Sequence, residues 1–179
     1  VFGCAALSAA LPAMAADNYP SRPIRVIVPQ SAGGSTDVAA RVLTDRLTEV
    51  LKQNIVVDNR PGAGSLHGTE AAAKAAPDGH TLLIIAASLS ITPALQANLP
   101  YDPVRDFAPI TQIVDLPHIV VVHPAVQAKT LADLVALLKA KPGQISAGFS
   151  GIGTSTHLAI ELFQYMSPGA GSLHGTEAG

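Results

Sequence analysis

Cysteine occurs once among the 179 residues, at position 4, so the sequence offers no internal disulfide framework and no cysteine-ligated zinc site. Tryptophan is absent, and three Tyr and four Phe leave few rings on which bases could stack. Charge is sparse as well: 11 Lys and Arg against 13 Asp and Glu give a net charge of −2, with no basic stripe to follow phosphates. Nucleic acid is therefore not expected as a partner. The hydrophobic content of 48% and the mean hydropathy of +0.34 rest on small residues, since 30 Ala, 15 Gly and 14 Pro make up a third of the chain. No apolar run reaches membrane length. Such a balance points to an α/β protein built on close backbone packing, long enough for a core but short for a large two-lobed fold.

Residues 1–16 (VFGCAALSAALPAMAA) carry no charge and end in Ala13-Met14-Ala15, the small-x-small pattern of a signal-peptidase site. The expectation is a leader shortened at its front, residues 1–15, with the mature chain starting near Asp17. A buried N-terminal strand or helix is the alternative. Val1-Phe2-Gly3-Cys4 also invites a lipoprotein reading, which the bulky Phe and the long apolar run after Cys4 rank below plain cleavage.

Beyond the leader, residues 24–28 (IRVIV) are β-branched and continuous, as a buried parallel strand requires, and lead into Pro29-Gln30-Ser31-Ala32-Gly33-Gly34-Ser35-Thr36-Asp37. A helix follows, with Val38, Val42, Leu43, Leu47, Val50 and Leu51 expected on its apolar face and Asp37, Arg41 and Asp45 on another. Then come a strand at 55–57, a Gly-rich turn at 60–65, an Ala-rich helix to about residue 76 and a strand at 82–85. This βαβαβ order is the unit of an open parallel sheet. Residues 100–109 (PYDPVRDFAP) read as an extended connection, and the apolar runs 110–114 and 119–122 mark a domain crossing. Thr130 with Asp133 predicts a capped helix whose Leu131, Leu134, Val135 and Leu138 share one face. The strand 145–149, the loop 150–156 and a helix bearing Leu158, Leu162, Phe163 and Met166 then repeat the N-terminal plan.

One segment occurs twice. Residues 61–71 (PGAGSLHGTEA) recur identically at 168–178, without matching flanks. A structural repeat diverges over a longer period, so residues 167–179 are expected to be foreign to the fold.

The loops carry the chemistry. Residues 31–37 present backbone N–H groups at the amino end of a helix, where the dipole is positive and two Gly allow close approach, a ready site for a carboxylate. Residues 150–156 offer the same from the second half. Two such loops facing each other outside the carboxyl ends of their strands would grip an organic acid without a basic side chain. Each loop alone is equally an ordinary helix cap, and Asp37 taken alone reads as a solvated helix-start charge paired with Arg41 ahead of a ligand contact. Ser88-Leu89-Ser90 either adds hydroxyls to the cleft or caps the helix near residues 93–97. Gly62-x-Gly64-x-x-x-Gly68 suggests a dinucleotide turn and hence a Rossmann-like enzyme. Its spacing is wrong, however, and the next strand ends in Ala86-Ala87-Ser88 without an acid for a ribose. No GxSxG elbow or HExxH pair occurs, and His157 reads as a packed or capping histidine. Neither a metal nor a cofactor is implied.

Taken in order, the segments 19–29 (YPSRPIRVIVP), Ala32-Gly33-Gly34 with Asp37, 59–64 (NRPGAG), 75–79 (AAPDG), 99–103 (LPYDP) and 106–109 (DFAP) resemble the periplasmic solute-binding receptors of tripartite tricarboxylate transporters, also called Bug receptors. The resemblance covers about residues 17–166. It implies an α/β, type II periplasmic-binding-protein-like fold of two lobes, each with a mixed, mostly parallel sheet. Lobe one would take residues 16–116 and an incomplete lobe two 117–166, with 167–179 as an aberrant tail. It further implies no catalysis, but capture of a small carboxylate and delivery to membrane permease subunits, by a protein monomeric when complete. Carried over to this sequence, the ligand contacts are Ser31, Ala32, Gly33, Gly34, Ser35, Asp37, Ser150, Gly151, Thr154 and Ser155, with Ser88 nearby. The sequence departs from the pattern at Gln30, where the family often has an aromatic, and at Leu66-His67, where it often has a smaller or polar pair. Family members are nearly twice as long, so the chain is expected to leave edges and apolar faces uncovered and to be poorly stable or prone to aggregate.

Overall fold

The structure is a computed structural model that describes residues 19–168 and 174–177. The expected leader, with Cys4, lies outside the described residues.

Strand β1 (Ile24–Val28) is the centre of the first sheet. Its run of Ile and Val buries on both faces, and Ile24, Val26, Ile27 and Val28 are at most 1% exposed. Strand β2 (Ile55–Asn59) lies on one side and β3 (Thr81–Leu83) on the other, both parallel to β1, in the order β2-β1-β3. Helix α1 (Ser35–Leu51) connects β1 to β2, and Lys52 in the left-handed region closes it. A tight turn at Ala63–Ser65 and helix α2 (Leu66–Ala73) connect β2 to β3. Helix α3 (Ser88–Leu95) follows β3.

Helix α1 turns a different face to the sheet from the one its hydrophobic spacing predicts. Asp37, Ala40 and Thr44 are its buried residues, whereas Val38, Val42 and Val50 point to solvent, with Val42 65% exposed. The small Ala40 and Thr44 allow close approach to the sheet, with Leu51 packing at the margin of the core. Helix α2 ends at Ala73, short of the expected residue 76, because the chain turns there toward Pro77.

From residue 107 to 123 the chain forms no helix or strand. The apolar runs 110–114 and 119–122 lie open, Val121 at 84% exposure. Helix α4 (Leu131–Ala140) then begins with the predicted capping box: the Asp133 amide donates to Thr130 Oγ1 at 3.1 Å and the Thr130 amide to Asp133 Oδ2 at 3.0 Å. Of its expected apolar face, Leu134 and Leu138 are buried with Phe163 and Ile145 against them, and Leu131 is exposed. Strand β4 (Ser146–Phe149) and helix α5 (Ser155–Met166) follow as predicted. On α5, Leu158, Leu162 and Met166 are exposed and Phe163 is the residue that packs.

Within the duplicated tail, β5 (His174–Glu177) runs parallel to β4 in the register Ser146 with His174 to Phe149 with Glu177. The β4 edge presents unpaired N–H and C=O groups, and a strand arriving after α5 satisfies them as a βαβ unit. Every strand pairing among the described residues is parallel, and both sheets are built from βα units. No helix of the described residues is long and apolar enough to cross a membrane.

Candidate functional site

The central position of β1 decides where its loop lies. Residues 30–34 leave the carboxyl end of the middle strand, flanked by the turn after β2 on one side and by α3 after β3 on the other. Ser31, Ala32, Gly33, Gly34 and Ser35 are all exposed. Gly34 is the N-cap of α1 and gives no side-chain cap, so no capping side chain and no helical carbonyl reaches the first-turn amides of the helix. The turn is closed by the Gly34 amide on Ser31 O at 3.3 Å, and Gly33 holds φ +83, a conformation that favours glycine.

Asp37 holds this loop in place. It is 2% exposed. Its Oδ2 accepts from the Gly33 amide at 2.8 Å and from Arg41 Nε at 2.9 Å, and its Oδ1 accepts from Asn59 Nδ2 at 2.9 Å. Asn59 Nδ2 also reaches Gln30 O at 3.2 Å, and Arg41 Nη2 donates to Asn59 Oδ1 at 3.0 Å. The Arg41 hydrogen bond, aided by the Gly33 amide and by Asn59, holds the Asp37 pKa down to about 2 against the opposing effect of burial. Both carboxylate oxygens are thus engaged within the protein, and the pairing with Arg41 read from the spacing is present, though in a buried setting. Asn59, the last residue of β2, is a partner of the loop that periodicity does not reveal, because the groups it bonds lie 22 and 29 positions earlier.

On the β2 side, four successive residues have positive φ: Gly62 (+123), Ala63 (+47), Gly64 (+62) and Ser65 (+83). Such values are uncommon for Ala and Ser and mark a constrained turn. Ser65 is buried, its Oγ accepts from Gln30 Nε2 at 3.0 Å, and its carbonyl accepts from Thr69 Oγ1 at 2.7 Å. Gly64 meets the second half of the chain here. A Cβ at this position would stand 2.0 Å from the Ile152 carbonyl oxygen. The Ile152 backbone thus occupies the space that a side chain at position 64 would need.

The loop 150–154 is tied by its own hydroxyls. Thr154, the buried N-cap of α5, donates through Oγ1 to Gly151 O at 2.6 Å and accepts from the His157 amide at 3.4 Å. Thr156 Oγ1 accepts from the Ser150 amide at 3.2 Å and lies 2.9 Å from Ser150 Oγ. Gly151 is buried, Ser150 exposed and Ser155 half-buried. The His157 ring packs on Phe149 with centroids 5.0 Å apart, and its Nδ1 faces the Gly153 amide at 3.5 Å. Gly153 lies beside Thr92 and Leu95 of α3. The second loop therefore rests on both flanks of the β1 loop: the turn after β2 through Ile152, and α3 through Gly153. Ser88 opens α3 one helical turn before Thr92; both are buried. Ser88 is not the helix cap, since the N-cap is Ala87 and Ser90 Oγ turns back to Ala87 O at 2.8 Å.

Two surface depressions lie elsewhere. One, of about 380 Å³, is lined by residues of β1 and β2 such as Ile24, Arg25, Val56 and Asp58, and another, of about 540 Å³, by the outer face of α4. Both are shallow and apolar and lack the convergent donors of the loops, so the loops carry the candidate site. Among the described residues no group of three His, Cys, Asp or Glu could hold a metal ion.

Comparison with known proteins gives this geometry its context. Residues 39–176 match the family described as Tripartite tricarboxylate transporter family receptor, TctC. The protein BugT of Bordetella pertussis is 43% identical over 153 residues, which cover 84% of this chain and 47% of BugT. A protein from the tcbD-tcbE intergenic region of Pseudomonas sp. strain P51 is 38% identical over 82% of this chain and 44% of its own length. The chain thus spans about half the length of the curated relatives it matches. Among solved structures, the R. palustris protein Rpa4515 with adipate superposes with a TM-score of 0.85 at 30% identity, covering 89% of this chain and 53% of that one. MatC from Rhodopseudomonas palustris with bound malate superposes with a TM-score of 0.77 at 26% identity, covering 89% and 54%. The periplasmic binding protein BugD gives a TM-score of 0.75 at 31% identity, covering 89% and 52%. The matched family is one of solute-binding receptors, not enzymes. The chain belongs to the TctC family of tripartite tricarboxylate transporter receptors, also known as Bug proteins.

Proposed function

We propose that the chain is the ligand-gripping part of an exported receptor that captures a small carboxylate in the periplasm and passes it to the permease subunits of a tripartite transporter. In this reading one carboxylate group lies on the first-turn amides of α1, framed by Ser31, Ala32, Gly33, Gly34 and Ser35. Ser150, Gly151, Thr154 and Ser155 approach from the second lobe, and Ser88 from α3. Asp37 belongs to the same site as the residue that fixes the Gly33 amide.

The observation that carries the reading is the set of uncapped first-turn amides of α1 after the central strand. Both elements beside them also touch the second loop. Amides at a helix N-terminus stabilise an anion through aligned dipoles and direct hydrogen bonds, and an organic acid needs no basic residue there. The carboxylates bound by two relatives, adipate and malate, support the ligand class.

The test is a native mass spectrum of the protein recovered from the periplasm after export. A mature chain beginning near residue 16, accompanied by a small acid that leaves on activation, is the expected result. A bound dinucleotide would overturn the reading.

A further inference from the structure

Two consecutive residues of the turn after β2 reach the two loops. Gly64 stands so close to the Ile152 carbonyl of the second loop that a Cβ would have no place there. Ser65 reaches the other loop: Gln30, which opens the β1 loop, donates through Nε2 to Ser65 Oγ at 3.0 Å. Were the amide turned over, the Ser65 hydroxyl would donate to the amide oxygen instead, and the tie would be the same. Gln30 is also held through its backbone, since its carbonyl accepts from Asn59 Nδ2 at 3.2 Å. The entry of the β1 loop is thus held from the β2 side at two points, and one of them is the Ser65 hydroxyl.

Local preference does not account for a serine at this position. Ser65 is the N-cap of α2 and holds φ +83, the left-handed region that favours glycine. A serine at a helix N-cap ordinarily stabilises the helix by accepting from a first-turn amide, but this hydroxyl makes no cap bond. The residue is buried, so solvent does not engage it either. The bond from Thr69 Oγ1 to the Ser65 carbonyl, at 2.7 Å, is made by the backbone and needs no particular side chain at position 65. Glycine would hold the same turn with less strain. What serine adds is the bond to Gln30, 35 positions earlier in the chain.

Resting on the carboxylate reading, we propose that Ser65 is a positioning residue for solute capture: through Gln30 its hydroxyl sets the β1 loop against the second loop, which abuts Gly64. Ser65 acts on the loop and not on the solute. Without the hydroxyl, Gln30 loses its side-chain partner and residues 31–34 gain freedom. The bound acid must then supply the order that the tie supplies in the unaltered chain, and affinity falls by that amount.

Two substitutions separate this role from a merely structural one. Ser65→Ala and Ser65→Gly both delete the hydroxyl, but glycine suits φ +83 and alanine does not, so the glycine variant should have the higher urea midpoint. Calorimetric titration with malate, on each chain under conditions where it is folded, is expected to show the same loss of affinity in both, about fivefold, as one lost hydrogen bond gives. Gln30→Met should lose about as much, and the double variant Gln30→Met with Ser65→Gly no more than either alone. If affinity follows the midpoint instead, with Ser65→Gly binding malate as tightly as the unaltered chain, the proposal is overturned and the receptor reading stands. A double variant whose loss is the product of the two single losses overturns the action through Gln30. Silence of the unaltered chain toward both malate and adipate overturns the receptor reading, and the positioning role with it. The glycine variant decides the matter even where the alanine variant does not fold.

Discussion

Asp37 shows how a single side chain can hold a whole loop in place. Three donors from three parts of the chain, the Gly33 amide, Arg41 and Asn59, meet its two oxygens. Asp37→Ala removes the acceptor these three donors share and leaves the Gly33 amide without its partner. It is expected to lower stability by about 3 kcal/mol, read as a shift in the urea midpoint at constant slope. The carboxylate also sets a pH dependence. Its folded pKa, about 2, lies below the ordinary carboxylate value of 3.8. The folded state is therefore favoured by this group above pH 4, and the contribution is lost as pH falls from about 4 to about 2. In Asp37→Asn that segment of the acid-unfolding curve should flatten; an unchanged curve would contradict the assignment. The pairing with Arg41 was legible from the four-residue spacing. The burial of Asp37 and its bond to Asn59 were not, because both depend on β2 returning beside β1, a contact between residues 22 positions apart.

At the scale of elements, the second loop is seated by glycine. Gly64 has φ +62 and its missing side chain leaves room for the Ile152 carbonyl. Gly64→Ala would force its methyl group into the Ile152 carbonyl, so it is expected to detach the second loop from the turn after β2. The observable is hydrogen exchange: protection at Thr154, whose amide bonds Gly151 O at 3.2 Å, should fall while that of β1 persists. Protection unchanged at Thr154 would show that the loop does not depend on this contact. Strands β1, β2 and β4, the capping box of α4 and the loop-to-helix order were readable from β-branched runs and from Thr130 with Asp133, since these signals are local. The buried face of α1 was not, because Ala40 and Thr44 bury through close packing and carry little hydrophobic signal. The copied segment makes the same point: His67 to Glu70 lie in α2, whereas His174–Glu177 pair as β5. Identical residues take the structure their neighbours complete, and the free edge of β4 outweighs local preference.

Among the described residues, apolar side chains stand exposed on several elements and loops. Val38 and Val42 on α1, the runs 110–114 and 119–122, and Leu158, Leu162 and Met166 on α5 are exposed in separate places. The chain spans about half the length of the relatives it matches. Exposed patches of this extent favour association. The purified chain is accordingly expected to bind a hydrophobic reporter dye and to elute larger than a monomer as concentration rises, and a dye-silent monomer at all concentrations would contradict this. The central claim is nevertheless about the loops, and amide resonances report on them directly. In a titration of the isotopically labelled chain with malate, the account predicts saturable shifts at Gly33, Gly34, Ser35, Thr154 and Ser155, with residues 62–68 and the outer face of α4 changing little. Shifts confined to residues 62–68, or none at the α1 amides of a folded chain, would contradict it.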